Sequence, residues 1–331
     1  MSSFRQALFV FAILLAAGCG TPSFLITPVS SSSELQETQV APGKGLFSSK
    51  VAIIEVEGML INAKEGGFLQ PEENKLSLFT QQMDLAAKDP DVKAVVLRIN
   101  SPGGTVVCSD TMYQIVKKFR ADTGKPVIAD TQEMTASGAY YVACGCDRIV
   151  AEPASLVGSV GVIFQTFEVT GLMGKIGVRS NAITSGVNKE MGSPFKEMTP
   201  EERAIIQHMV DDFYARFRGV VTENRHISSD DLAMATDGRV FTGTDAVKLG
   251  LADQNGLLDD AIDLAREMGH APGAQVIMYK RPYGYSGSIY SATPMSPLEA
   301  ARGGPTELRL TVPGAEDALP AGFYYLWQPG I

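Results

Sequence analysis

Apolar positions along the chain fall into short runs separated by longer amphipathic stretches, the pattern of strands alternating with helices. Val51-Ala52-Ile53-Ile54-Glu55-Val56 and Ala94-Val95-Val96-Leu97-Arg98-Ile99 are nearly continuous apolar runs of strand length, as expected of strands covered on both faces. Pro126-Val127-Ile128-Ala129 and Arg148-Ile149-Val150-Ala151 read as two further strands. Between the first pair, Leu76, Leu78, Phe79, Met83, Leu85 and Ala86 are spaced as one face of a helix, and Thr111 to Arg120 and Ala136 to Cys144 predict two more. The clearest helix begins at Thr199-Pro200-Glu201-Glu202, with a Thr cap, Pro at the first helical position and Glu at the third. Ile205, Ile206, Met209, Val210, Phe213, Phe217 and Val220 then recur at helical spacing. Such alternation predicts an α/β fold with a largely parallel sheet between helices.

Both ends of the chain break this pattern. Residues 1–18 carry one positive charge, Arg5, ahead of an apolar run from Ala7 to Ala17 that is short for a bilayer span, and they read as an export signal. Leu15-Ala16-Ala17-Gly18-Cys19 resembles the lipobox of bacterial lipoproteins, although Ala16 stands where that pattern most often has Leu. The resemblance implies cleavage before Cys19 and a diacylglycerol anchor on it, which would hold the protein in the cell envelope with its folded body outside the cytoplasm. Gly20 is not the aspartate that commonly retains lipoproteins in the inner membrane, so the outer membrane stays open as a destination. Residues 19–49, rich in Ser, Thr, Pro and Gly, read as a tether. Residues 271–331 read as an irregular tail whose apolar end, Ala321 to Trp327, is expected to dock on its own body or on a neighbouring subunit.

Composition narrows the picture further. A length of 331 residues suggests two domains, yet the motifs support one domain over residues 50–270 with a signal, a tether and a tail. With 45% hydrophobic and 20% charged residues, neither disorder throughout nor a polytopic membrane protein is expected. A net charge of -9 argues against a nucleic-acid partner. Four cysteines are too few for a disulfide scaffold, and three histidines leave little for a metal site. Cys144 and Cys146 have no nearby histidines and read as buried small side chains, while His208, His226 and His270 read as structural.

Two segments could carry chemistry. Asn100-Ser101-Pro102-Gly103-Gly104 follows a predicted buried strand and so sits at its C-terminal end, where α/β sheets bind ligands; a tight turn explains it equally well. Thr135-Ala136-Ser137-Gly138-Ala139-Tyr140-Tyr141 opens a helix, so Ser137 is either a nucleophile beside free backbone N–H groups or an N-cap. No Gly-x-Ser-x-Gly elbow surrounds it, and the three histidines fall much later, although a Ser/His/Asp triad assembled from distant segments stays open. A lysine, with an ordinary pKa of about 10.4, can serve as its base only if burial lowers that value, by about 3 to 5 units in fully buried cases. Lys189 lies among small and apolar residues in Ser185 to Phe195 and, taken alone, reads as a surface lysine.

Together these segments resemble peptidase family S49, the signal peptide peptidase A-like serine peptidases. The resemblance runs from about Val51 to Gly269 and rests on the two segments above, on Val157-Gly158-Ser159-Val160-Gly161-Val162, and on Gly186-x-x-Lys189 with Pro194-Phe195. Asp237-Gly238-Arg239-Val240-Phe241-Thr242-Gly243 and Ala246 to Asp253 match the closing segment of the family. It implies a ClpP/crotonase-like spiral, Ser137 as nucleophile, Lys189 as general base and Ser159 as the hydroxyl that holds the lysine amine. It also implies an oxyanion hole from the N–H groups of Gly104 and Gly138, with Gly103 setting the turn. No metal or organic cofactor is implied. The implied partners are hydrophobic peptides such as remnant signal peptides and further copies of the chain in a ring or dome, where Ser137 and Lys189 can meet across an interface. A crotonase-like acyl-CoA enzyme and a catalytically silent ring-forming lipoprotein are the competing expectations.

Overall fold

Nearly continuous apolar runs form the central strands, because both faces of the sheet are covered. The computed structural model describes residues 34–44, 49–65, 73–281 and 322–327. The chain divides into two units, Met1–Glu34 and Leu35–Ile331. Apart from Glu34 the first lies outside the described residues, and with it the expected signal and Cys19.

In chain order the second unit contains β1 (Gln36–Ala41), β2 (Lys50–Glu57), the short pair β3 (Lys64–Glu65) and β4 (Glu73–Asn74), α1 (Lys75–Lys88), β5 (Val92–Ser101), β6 (Gly103–Thr105) and α2 (Val106–Thr123). There follow β7 (Val127–Ala136), α3 (Gly138–Ala143), β8 (Arg148–Ala151), β9 (Leu156–Gly158), β10 (Ile163–Gln165), α4 (Thr170–Lys175) and α5 (Pro200–Asn224). The remainder is α6 (Ser229–Ala235), β11 (Val240–Thr242), α7 (Gly243–Lys248), β12 (Gln254–Asn255), α8 (Leu258–Met268), β13 (Gln275–Lys280) and β14 (Gly322–Leu326).

The main sheet has the order β1-β13-β2-β5-β7-β8-β12, with β9 and β11 branching from β7. Every pair is parallel except β1/β13 and β9/β11, so the α/β class expected from the alternation is the class observed. Along β2, Ala52, Ile54 and Val56 pack into a core with α1, α2 and α3, while Val51 and Ile53 face the opposite core, closed by α8. That two-sided burial is why the strands lack polar alternation. α5 starts as its sequence predicts: Thr199 Oγ1 accepts from Glu202 N at 3.2 Å, and Glu202 Oε2 accepts from Thr199 N at 3.0 Å.

Three strands fall where irregular chain is expected. β1 lies in the 19–49 segment and is held by antiparallel main-chain pairing to β13, so a polar sequence with no periodicity becomes an edge strand. β13 and β14 both lie beyond residue 270. β13 is buried between β1 and β2, and β14 joins β6 and β10 in a second, three-stranded sheet. Partners distant in sequence create all three strands, and local pattern does not record such partners.

A charged row crosses this apolar sheet. Lys280, Glu55, Arg98 and Asp130 come from β13, β2, β5 and β7, with Glu55 opposite Arg98 and Arg98 opposite Asp130. Arg98 is ion-paired with Glu55, and Lys280 Nζ lies 3.7 Å from Glu55. Asp130 is fully buried; one carboxylate oxygen accepts from Gln132, and Oδ1 has no hydrogen-bond partner among the described residues. Burial pushes the Asp130 carboxyl up from 3.8 to about 7, against the pull of Gln132 and Arg98. The folded chain therefore binds more protons than the unfolded one between those values, and the contribution of Asp130 to stability falls as pH rises through about 7. Asp130→Asn is expected to flatten the dependence of Tm on pH between about 5 and 8, and to raise Tm at about pH 8 by about 3 °C or more. Thermal melts across that range check this, and an unchanged slope counts against it.

Candidate active site

The sheet register sets the site. Ser101 on β5 is opposite Thr135 on β7, and Ala136 on β7 is opposite Gly158 on β9, so three strands end together. Ser137 and Ser159 each follow the last residue of their strand, and this pairing sets them side by side. Both have φ of 53°, in the left-handed region that costs a side-chain-bearing residue about 1 to 3 kcal/mol. Backbone hydrogen bonds hold them there. Ser137 N donates to Gly158 O at 2.7 Å, and Ser159 N donates to Arg239 O at 2.8 Å.

Ser137 occupies the N-cap position of α3, yet its side chain caps nothing. The two expectations for this residue thus separate. It is 1% exposed, and among the described residues neither its hydroxyl nor that of Ser159 is engaged in a hydrogen bond.

The glycines pack backbone to backbone against it. Gly103 has φ of 98°, and a Cβ there would lie 2.6 Å from Gly138 N. A Cβ on Gly138 would lie 3.1 Å from Gly104 N and 2.2 Å from Ser109 Oγ, and one on Gly104 would lie 2.0 Å from Leu60 O. Ser101 ties the turn down, its hydroxyl donating to Gly58 O at 2.6 Å and accepting from Gly103 N at 3.1 Å. Gly103, Gly104 and Gly138 thus pack backbone against backbone beside Ser137.

Lys189 is not part of this cluster. It is exposed in a turn, its N–H donating to Gly186 O at 3.1 Å, and its ammonium has no partner among the described residues. The stretch around it exposes Leu172, Ile176, Ile183 and Val187. Its root is tied to the body by Val169 N donating to Pro194 O at 2.8 Å and Thr166 Oγ1 donating to Gly192 O at 2.9 Å.

The C-terminal strand supplies what the sequence reading did not assign. β14 runs antiparallel to both β6 and β10, with Tyr325 opposite Gly104. The Tyr325 carbonyl oxygen lies 2.1 Å from the Cβ position of Gly103 and 3.0 Å from that of Gly138. Its ring stacks on Tyr141 at 5.2 Å and packs on Phe217 at 4.8 Å, and its hydroxyl donates to Phe213 O at 2.8 Å. The expected docking of the apolar end is on the chain's own body.

Other motif residues hold elements in place. The segment around Arg239 leads into β11, which pairs with β9 under Ser159. Asp253 accepts from Ile149 N at 2.6 Å and pairs with Arg225 at 2.9 Å, and Leu251 O accepts from Tyr140 Oη at 2.8 Å. Cys144 and Cys146 are buried thiols, and burial pushes Cys144 up to about 12. His208 is exposed 3.6 Å from Asp212. Among the described residues, no His/Cys/Asp/Glu group could hold a metal ion, and no helix is long and apolar enough to cross a membrane.

The model of peptidase family S49 matches residues 119–271. A Methanocaldococcus jannaschii protein named as a protease is 35% identical over 216 residues, 65% of this chain and 69% of that protein. The chain belongs to peptidase family S49. An Enterococcus faecium protein named as signal peptide peptidase SppA is 32% identical over 72% of this chain and 69% of its own length. Among solved structures, a mutant of the 1510-N membrane-bound stomatin-specific protease aligns with a TM-score of 0.43 and 15% identity, over 66% of this chain and 86% of that one. The S49 match covers α3, β9 and the Lys189 segment, and it ends before β13 and β14.

The backbone packing gives a stability prediction. Gly104→Ala is expected to cost about 2 to 3 kcal/mol, because main chain of Leu60 must move. Gly124→Ala, at φ of 67° with nothing within 4 Å, is expected to cost about 1 kcal/mol. Denaturant melts of the two variants compare them; equal costs would remove the close-packing argument.

Proposed function

We propose that this S49 peptidase cuts hydrophobic peptides with Ser137 as nucleophile and Lys189 of a neighbouring copy as general base. The observation that carries the reading is the convergence of Ser137, with its uncommitted hydroxyl and strained backbone, on Gly103, Gly104 and Gly138. Neutral Lys189 takes the Ser137 proton as the hydroxyl attacks a peptide carbonyl, and the N–H groups of Gly104 and Gly138 receive the oxyanion. The lysine then protonates the leaving amine, and water hydrolyses the acyl-enzyme. Each oxyanion donor supplies about 10² to 10³ in rate. Ser159, adjacent in register to Ser137, is the hydroxyl that orients the amine. The scheme uses no metal or organic cofactor.

The position of Lys189 in its own subunit supports the participation of a second copy. An exposed ammonium is strongly hydrated and a poor base, and burial against a neighbour disfavours its charged form. The apolar side chains exposed around it are those that such a contact would cover. A ring or dome of subunits, tethered to an envelope membrane through lipid on Cys19, would bring the site to membrane-associated hydrophobic peptides such as remnant signal peptides.

Ser137→Ala and Lys189→Ala are each expected to abolish peptide hydrolysis without changing the melting curve, and a serine-directed phosphonate should label Ser137 in the native protein alone. Mixing the two dissociated variants and reassembling them is expected to restore part of the activity. Turnover by either variant alone sinks the dyad, and no recovery on mixing sinks the shared site.

A further inference from the structure

We infer that Thr131 and Ser155, whose hydroxyls are both committed to hydrogen bonds, are positioning residues that set Ser159 against Ser137. The inference rests on the reading of Ser137 as nucleophile and Ser159 as the hydroxyl that orients the amine, and it adds what places them. Main-chain pairing alone does not carry the register of β7 to its end. Thr131 is opposite Ile99 on β5 and Ala151 on β8, and both ladders are interrupted just beyond it. On the β5 side pairing resumes at Ser101 and Thr135, so that one residue of β5 faces three of β7. On the other side it resumes at Met134 and Leu156, with Gln132 and Glu133 facing the four residues Glu152 to Ser155. β9 begins after that gap, and Ser159 follows β9.

Side chains close both gaps. On the β5 side Thr135 Oγ1 donates to Ile99 O at 3.3 Å. On the other side the bonds form a closed circuit. Glu152 N donates to Thr131 Oγ1 at 3.2 Å, Thr131 Oγ1 and Ser155 Oγ are 2.8 Å apart, and Ser155 Oγ donates to Glu152 O at 2.8 Å. Because the Ser155 proton goes to Glu152, Thr131 is the donor to Ser155. Both side chains are buried, where such bonds are strong and a missing partner is costly. From outside, Gly243 N donates to Ser155 O at 2.9 Å, and a Cβ on Gly243 would collide with Glu152 O and lie 3.0 Å from Ser155 Oγ.

The circuit reaches both serines of the site. Ser155 leads directly into Leu156–Gly158, Gly158 O accepts from Ser137 N, and Ser159 is the next residue. A shift of β9 along β7 therefore moves Ser159 and the acceptor that holds Ser137. A misplacement of about 1 Å at a reacting group can cost about 10² in rate.

Thr131→Val keeps the shape and strand preference of the side chain and removes its hydroxyl. It is expected to lower kcat about tenfold or more with KM within about twofold, and to slow phosphonate labelling of Ser137 by a similar factor. Thr131→Ser, which keeps the hydroxyl, is expected to recover most of both rates. Gly124→Ala, a destabilising change just ahead of β7, is expected to leave kcat unchanged, which separates positioning from stability. Because the circuit acts as a unit, Ser155→Ala is expected to match Thr131→Val, and the double variant to fall little further than either. A wild-type kcat in Thr131→Val, no recovery in Thr131→Ser, an equal loss in Gly124→Ala or additive losses in the double variant overturns the inference. Should Thr131→Val not fold, Ser155→Ala carries the test, and a wild-type kcat there overturns the inference equally. A native protein that is not labelled at Ser137 defeats the peptidase reading, whereas a labelled native protein with unaffected Thr131 and Ser155 variants defeats the positioning role alone.

Discussion

The register of β7 is the constraint on which the site depends. Its first half pairs with β8 and its second half with β9, while β5 runs along its other edge. Because main-chain ladders fix relative position residue by residue, the ends of β5, β7 and β9 meet at one place. The glycine turn after β5, Ser137 after β7 and Ser159 after β9 are neighbours for that reason. A slip of one residue in either ladder would turn Ser137 or Ser159 to the other face and separate the glycine backbones.

Two serines in the left-handed region are the visible cost of that convergence. Their φ of 53° persists because the surroundings over-determine it: Gly158 O holds Ser137, Arg239 O holds Ser159, and β11 closes over β9. This gives a physical reason for segments of the chain that carry no chemistry. Arg239 and its strand support Ser159, and Asp253 fixes the start of β8 through Ile149 N. The same logic applies to Asp110, whose clamp with Tyr141 and Arg216 keeps an aromatic wall in place beside the glycine turn.

Much of this was legible in the residues. The apolar runs at β2 and β5, the Thr199 cap of α5 and the glycine and serine turns all announce themselves locally, because propensity, capping and two-sided burial leave signatures within a few residues. The strands β1, β13 and β14 did not. Gln36 to Ala41 is polar and aperiodic, and Gly322 to Leu326 is a short apolar patch in a Pro- and Gly-rich stretch; each becomes a strand through a partner far away in sequence. Lys189, which taken alone reads as a surface lysine, is exposed.

By itself the sequence determined the family, the α/β class, the candidate chemistry of Ser137, Ser159 and the three glycines, and an expectation of a membrane-anchored, self-associating chain. Only the tertiary structure decided that Ser137 leaves its hydroxyl free where it could have capped a helix, that Lys189 is exposed while Ser137 is buried, and that Tyr325 lies on the glycine turn among Tyr141 and Phe217. The division has one physical cause. Composition and periodicity report what a residue does within its own turn or strand, whereas a site is made by pairing and packing between segments up to two hundred residues or more apart, as Gly104 and Tyr325 are.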